Sequence, residues 1–421
     1  MKAMKMSGRE PSEPGVTPPR GLYFHIPFCV SRCRYCDFNS YSGLQWLSRR
    51  YTVALQRELL LWSQLPAPGA DRRPIETLYF GGGTPTLLGT ENLLGVLKTA
   101  GRLFHLQAVA EATIETNPGV ADVKDMTVLR RAGLNRVSMG VQSFDDAELR
   151  FLGRIHNAIQ AEDSWSALRR AGFENASLDL MYGLPGQSIG SWRTNLEMAL
   201  SLEPEHLSLY ALTIEEETPL AKAIARGEVS EPDSDLAAEM YSLAEDILED
   251  AGYVHYEISN WARPGRECLH NLNYWRDGSY LGVGAGAHSY LGEFRIANEK
   301  SPIEYVRGLE TESAEKLVEL TAEDEAEKMM GLREAGLPVA SLEHIDRSTS
   351  MAETMMLGLR LSEGVSESGF CKRFGVKPED IYGSQIIELK KLGLLEQAGD
   401  QLRLTSRGRL LGNQVFCRFV G

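Results

Sequence analysis

What most restricts how this chain folds is a recurring alternation of short β-rich runs and amphipathic helical stretches. LYFHI (22–26), TLYF (77–80), ATIE (112–115), RVSM (136–139), ASLDL (176–180) and LSLY (207–210) carry strand-type residues. Between them, residues 47–62, 91–104, 121–132, 158–171 and 189–202 repeat apolar positions at helical spacing. Strands separated by helices run parallel, because a parallel pair needs a long crossover and a helix supplies it. One unit even echoes the next: RRAGLNRVSM (130–139) and RRAGFENASL (169–178) each leave a helix, turn at Gly133 or Gly172, and enter a strand. Six such units predict an α/β barrel or partial barrel with its chemistry on the loops after the strands. An open doubly wound sheet is the alternative that fits the same pattern.

The rhythm changes near residue 215. A polar connection leads to a helix over 234–251, then YVHYEIS (253–259) and a glycine- and aromatic-rich stretch ending near Tyr290. This divides the chain into a flexible leader (1–20), a barrel core (21–215), an extension (216–310), a charged helical connection (311–349) and a C-terminal domain (350–421). In that last piece a helix, a short strand, a turn at Gly399, a second strand and a closing helix predict a small winged-helix-like domain. Its few basic residues make a packing or partner domain rather than a DNA reader.

A net charge of −14 argues against a general nucleic-acid binder, whose affinity rests on neutralising phosphates. No run reaches the length of a membrane span. The leader is rich in Pro, Gly and charge and lacks the apolar segment of a signal peptide. Six cysteines in 421 residues are too few for a disulfide scaffold. A cytoplasmic, reducing location follows as the expectation.

Three of those cysteines, Cys29, Cys33 and Cys36, form C-x3-C-x2-C directly after the first strand, in FHIPFCVSRCRYCDF. A disulfide leaves one over, and a dithiol redox pair leaves Cys29 without a role. A structural zinc site wants four ligands, and His25, on a strand, is the fourth only if it is not simply packed. Three thiolates on one tight loop suit a [4Fe–4S] cube better, each taking one iron and leaving the fourth open.

The loops that follow add polar groups at the same ends of successive strands. Gly81-Gly82-Gly83-Thr84-Pro85 ends the second run, with glycines where backbone can approach a ligand closely. Glu115 lies in ETNPG, Gln142 in GVQSF, Arg154 in LGRIH and Asp179 in DLMYGLPGQ. Each alone is an ordinary capping or solvated residue; together they collect where a barrel builds its site.

With these motifs the chain resembles the radical S-adenosylmethionine superfamily, whose cluster signature is C-x3-C-x2-C. The resemblance implies a partial (β/α)6 TIM-like barrel carrying a [4Fe–4S] cluster on the three cysteines. It implies S-adenosylmethionine contacts at Gly82, Gly83, Thr84, Glu115, Gln142, Arg154 and Asp179. Tyr23 and the backbone around Tyr35 match residues beside the cluster and the adenine. The chemistry so implied is electron transfer from the reduced cluster into the sulfonium, which requires an electron donor.

Within the superfamily the barrel is similar to that of oxygen-independent coproporphyrinogen III oxidases, but these carry one more cysteine where Phe38 stands. Downstream, His270-Asn271-Leu272-Asn273-Tyr274-Trp275 resembles the H-N-x-x-Y-W motif of HemW-type heme chaperones. That implies heme as a third bound group, with His270 as its axial ligand, and transfer to a heme-acceptor protein. Membrane-bound acceptors imply peripheral association only. Cys268 is the alternative ligand or a small buried side chain, and His288, in GAGAHS, packs or lines the site. Radical turnover is left open; decarboxylation of coproporphyrinogen is the competing activity.

Overall fold

Alternation within each strand decides the layers. In β1 (Gly21–Ile26), Leu22, Phe24 and Ile26 are fully buried in the main core, while Tyr23 and His25 point to the other face. The computed structural model describes residues 20–65, 74–106, 109–120, 122–310 and 325–420. The same split runs through β2 (Thr77–Gly82), β3 (Glu111–Thr116), β4 (Arg136–Gln142), β5 (Ala176–Tyr182) and β6 (His206–Ala211). Their apolar sides pack beneath α1 (Ser48–Gln64), α2 (Thr90–Leu103), α3 (Val123–Arg131), α4 (Ala158–Arg170) and α5 (Ile189–Ser201). The echoed turn is real: Gly133 and Gly172 both have positive φ, 109° and 91°, just past the ends of α3 and α4.

β1 to β6 pair in parallel and in sequence order. A doubly wound sheet reverses its order at a switch point, and this one does not. Beyond β6 the sheet adds β8 (Asn260–Ala262) and β7 (Val254–Glu257). Beyond β1 it adds β9 (Tyr280–Val283), β10 (His288–Leu291), β11 (Phe294–Asn298) and β12 (Val339–His344). The terminal strands β7 and β12 do not pair with each other, so the barrel stays open. Its inner face is polar, with Thr77, Glu111, Arg136, Ser138, Ser177 and His206 all buried there. A closed barrel fills that space with branched apolar layers; here it is left to polar chemistry.

Two boundaries differ from the sequence reading. The leader, apart from Arg20, and residues 311–324 of the charged connection lie outside the described residues. Within the rest of that connection, 339–344 is not helical: it is the edge strand β12. Its side chains are mostly exposed, as an edge strand's can be, and its one carboxylate, Glu343, pairs with Arg295 of β11 at 3.0 Å. No helix among the described residues is long and apolar enough to cross a membrane.

The C-terminal domain has its own core of Phe370, Tyr382, Ile386 and Leu402 around a three-stranded sheet. A helix, Arg347–Gly358, leads into it and packs across the sheet extension, where Arg295 grips Glu353 at 2.6 Å. Arg373–Asp277 and Arg409–Glu245 ion pairs, at 2.7 and 2.8 Å, complete the docking.

On the other side, α1 is tied to the extension by one carboxylate. Glu58 is wholly buried and accepts from Tyr305 Oη (2.5 Å), Asn298 Nδ2 (2.7 Å), Gly284 N (2.9 Å) and Trp62 Nε1 (3.2 Å). Burial pushes its carboxyl up to about 7 despite these donors. A folded pKa above the unfolded one gives a stabilising contribution that is full below the unfolded value and lost as pH rises through the folded value. Glu58→Gln removes that dependence. Its destabilisation is therefore expected to be largest near pH 4.5 and to shrink by on the order of 3 kcal/mol by pH 8. Denaturant unfolding of both proteins across that range checks it; parallel pH profiles defeat the assignment.

Candidate functional site

The C-terminal ends of β1 to β6 surround a cavity of about 380 Å³. Cys29, Cys33 and Cys36 all contribute to its wall, on the loop that leaves β1. Burial raises the Cys29 and Cys36 thiols above their ordinary pKa, and the neighbouring cysteine sulfurs add to that rise. Polar groups reach each sulfur: Thr84 Oγ1 donates to Cys29 at 4.0 Å, Arg154 Nη1 to Cys33 at 3.4 Å, and Ser40 Oγ lies 3.9 Å from Cys36. Such a set fits a group that brings positive charge of its own and deprotonates its ligands. Among the described residues, no three His, Cys, Asp or Glu side chains converge closely enough to share a single metal ion. Thiolates that each take a different iron of a cube stand farther apart than that.

The glycines prove to serve the cysteine loop as well as the cavity. A Cβ on Gly83 would stand 2.7 Å from the Phe28 carbonyl oxygen and 3.0 Å from Cys29 Sγ. Gly82 has φ of 119°, open to glycine and strained for other residues, and both glycines line the cavity. Thr84 is buried beneath the wall rather than in it, held by Asn117 Nδ2 at 2.7 Å.

Three carboxylate- or amide-bearing side chains face inward. Glu115 accepts from Tyr79 Oη at 2.7 Å and Gly82 N at 3.1 Å, and burial raises its carboxyl to about 7. Asp179 accepts from Ser138 Oγ at 2.9 Å and Ser177 Oγ at 3.3 Å, and burial raises it too. Gln142 has φ of 71° at the end of β4, beside a register shift against β5. A non-glycine residue held there costs about 1–3 kcal/mol and belongs to the residues worth asking about functionally. Arg154 donates to Asn117 Oδ1 and the Gly140 carbonyl, both at 2.5 Å, besides touching Cys33. Tyr35 lines the cavity, whereas Tyr23 lies below it with its hydroxyl 3.0 Å from His25 Nδ1. His25 is thus a packed residue, its Nε2 on the Asn39 carbonyl at 2.8 Å.

Sequence reading missed Asn117, which joins Thr84 to Arg154, and Tyr210, 42% exposed on the cavity wall. Both end or follow a strand at the position where the other site residues were sought, so position alone signals them.

His270 is elsewhere. The helix α6 (Leu269–Trp275) closes the opposite, N-terminal end of the barrel. The Glu111 carboxylate receives its first amides, Leu269 N at 3.0 Å and His270 N at 3.1 Å, and the fully buried Cys268 thiol at 3.5 Å. The His270 ring is 1% exposed, with Nδ1 2.8 Å from Thr77 Oγ1 and Nε2 2.8 Å from Tyr274 Oη. Burial lowers its pKa to about 3, so the ring is neutral, but neither nitrogen faces a ligand. Tyr274 stands edge-on to Tyr280, and Trp275 lies under the Arg360 guanidinium at 4.4 Å. To ligate iron, His270 must give up one of its hydrogen bonds and the helix must open.

Comparison with known proteins accounts for this architecture. Residues 23–199 match the Radical SAM superfamily and 345–411 the HemN C-terminal domain. The solved coproporphyrinogen III oxidase HemN of Escherichia coli has the same fold, with a TM-score of 0.77 over 96% of this chain and 90% of that one at 24% identity. The heme chaperone HemW of Bacillus subtilis is 34% identical, over 96% of this chain and 99% of its own. Its Mycobacterium tuberculosis counterpart is 37% identical over 97% of each chain. A bovine mitochondrial radical S-adenosyl methionine domain-containing protein 1 is 34% identical over 94% of this chain and 88% of its own. The chain belongs to the HemW family of the radical SAM superfamily, a membership that implies use of an iron–sulfur cluster and S-adenosylmethionine.

Proposed function

We propose that this protein is a heme chaperone that binds heme and hands it to an acceptor protein, with a [4Fe–4S] cluster and S-adenosylmethionine in the barrel. The observation that carries the reading is the near end-to-end relationship to proteins named heme chaperone HemW. Cys29, Cys33 and Cys36 would hold the cluster; when bound, it and S-adenosylmethionine supply one-electron chemistry. The chain's own groups do the rest. Arg154 sets a positive charge against Cys33, and the Thr84–Asn117–Arg154 relay fixes that guanidinium. Glu115, raised towards neutrality, holds or releases a proton beside Tyr79, while Asp179 rests on its serine hydroxyls. Gly82, Gly83 and Gln142 shape the wall against which a ligand is oriented.

Phe38, 65% exposed on the cavity rim, stands where the oxidase signature has its additional cysteine, which favours the chaperone over the decarboxylase. Heme titration of cluster-loaded protein, followed by mixing with an apo-heme enzyme with and without S-adenosylmethionine, tests the proposal. Stoichiometric binding and restored acceptor activity are expected. Conversion of coproporphyrinogen III to protoporphyrinogen with 5′-deoxyadenosine, under anaerobic reduction, would replace it with the oxidase reading. An electron donor is a further partner wherever radical chemistry runs.

A further inference from the structure

His270 comes free only if α6 moves, so whatever holds α6 decides when the ring is available. Towards the barrel the helix is seated on Glu111. Its outer face and the turn after it meet the C-terminal domain. Leu272 and Trp275 pack with Tyr256, Ala262 and the buried Leu361. The Arg360 guanidinium lies over the Trp275 ring at 4.4 Å and over Phe416 at 5.5 Å. Arg276 pairs with Glu363 at 3.0 Å, and Asp277 with Arg373 at 2.7 Å. Thr354 Oγ1 donates to the same Asp277 carboxylate at 3.5 Å. Asp277 has φ of 52°, so the turn that ends α6 is held left-handed, with its side chain 5% exposed beneath Arg373.

Residues 360–362 reach α6 by crossing the edge of the main sheet. Leu361 bridges antiparallel to Glu257 of β7. Ile258 N donates to the Arg360 carbonyl at 3.1 Å, and Ser362 N to the Tyr256 carbonyl at 3.0 Å. β7 ends the sheet, so this strap covers its last strand. It runs from the helix Arg347–Gly358 into the small sheet of the C-terminal domain.

The contact is made in a way that lets it part. Leu361 brings the domain's apolar side chain to α6, and the rest is ion pairs and a cation over a ring. Exposed pairs such as Arg276–Glu363 stabilise little. Polar atoms are also left over: Arg360 Nε, Trp275 Nε1, Ser362 Oγ, Glu257 Oε2 and Asn260 Oδ1 are buried without a hydrogen-bond partner among the described residues. Each is a cost of the closed contact that water relieves when the two surfaces separate.

We propose that the C-terminal domain is a latch on α6. With Arg360, Glu363 and Arg373 engaged, the helix stays down on Glu111 and His270 stays sealed; lifting the domain frees the helix to present the ring. This rests on the heme-carrier reading and makes heme loading conditional on the position of the C-terminal domain.

Cys268 makes the latch measurable without heme. Its thiol is fully buried against Glu111 at the start of α6, and burial pushes it up to about 12, so its alkylation reports the opening of this end of the barrel. Two variants loosen the contact at different points: Arg373→Ala with Asp277→Asn, where asparagine keeps the left-handed turn, and Arg360→Gln. In the cluster-loaded full chain, site-resolved alkylation of Cys268 by iodoacetamide is expected to accelerate about tenfold or more in both, with circular dichroism showing both folded. Hemin affinity is expected to rise by a similar factor, because apparent affinity scales with the fraction of competent chains. Adding His270→Ala is expected to cancel that gain. Arg418→Ala, which breaks a 3.3 Å ion pair with Glu388 inside the C-terminal domain, is the control and is expected to move neither readout. Cys268 labelled at the wild-type rate in both folded variants overturns the latch, whatever heme does. Faster labelling with hemin affinity within about twofold of wild type overturns it as the gate to heme. If neither wild type nor variants bind hemin saturably, the carrier reading falls, and Cys268 labelling still decides on the latch.

Discussion

Replacing Glu111 with Ala is expected to destabilise the barrel by about 3–5 kcal/mol, because it strips the partner from a buried charge. Glu111 and Arg136 are 3% and 1% exposed, and the guanidinium lies 4.0 Å from the carboxylate. The carboxylate also receives the opening amides of α6 and the Cys268 thiol, so truncation orphans those donors in the same step. The pair is not strongly stabilising in itself; what costs is leaving one half. Glu111→Ala combined with Arg136→Met should therefore recover part of the loss, and the double-mutant cycle measures how much. Denaturant unfolding of the three variants decides the matter. A single Glu111→Ala cost under about 1 kcal/mol would mean that water reaches Arg136 and that the floor of the barrel is not closed.

The second large effect concerns the cysteine loop. Each of Cys29→Ala, Cys33→Ala and Cys36→Ala is expected to abolish the broad iron–sulfur absorbance and most of the bound iron and sulfide after anaerobic reconstitution. The reason is geometric: all three sulfurs come from eight residues on one loop, and no other cysteine is near enough in the cavity wall to replace one. Cys268 is sealed at the opposite end of the barrel and Cys417 is exposed near the C-terminus. Cys417→Ala is the matching control and should retain the full cluster. Cluster content unchanged in all three loop variants would remove the assignment.

Much of this was legible in advance. Strand and helix periods mark the six parallel units, since a side chain's face depends only on neighbours two or four positions away. The cysteine spacing marks a ligand loop for the same local reason. Placing Glu115, Gln142, Arg154 and Asp179 together needed one further rule, that strand ends of a parallel barrel meet at one mouth, and the cavity gathers all four. The rule was applied too narrowly to include Asn117 and Tyr210.

What local spacing left undetermined has a different character. Residues 339–344 looked like part of a charged helical connection, yet pairing with β11 makes them an edge strand, because sheet hydrogen bonds override a weak local preference. His270 looked like a ligand presented among flat aromatic rings. Its partner Thr77 is 193 positions away, and its helix is seated on Glu111, 159 positions from His270. No local pattern encodes those contacts.

The sequence by itself therefore determined the sequential α/β architecture, the three-thiol loop and the separate C-terminal domain, all written in spacings of a few residues. Only the tertiary structure decided that His270 is sealed between Thr77 and Tyr274. That burial depends on desolvation and on hydrogen bonds between distant elements, and these exist only once the strands have assembled around their polar interior.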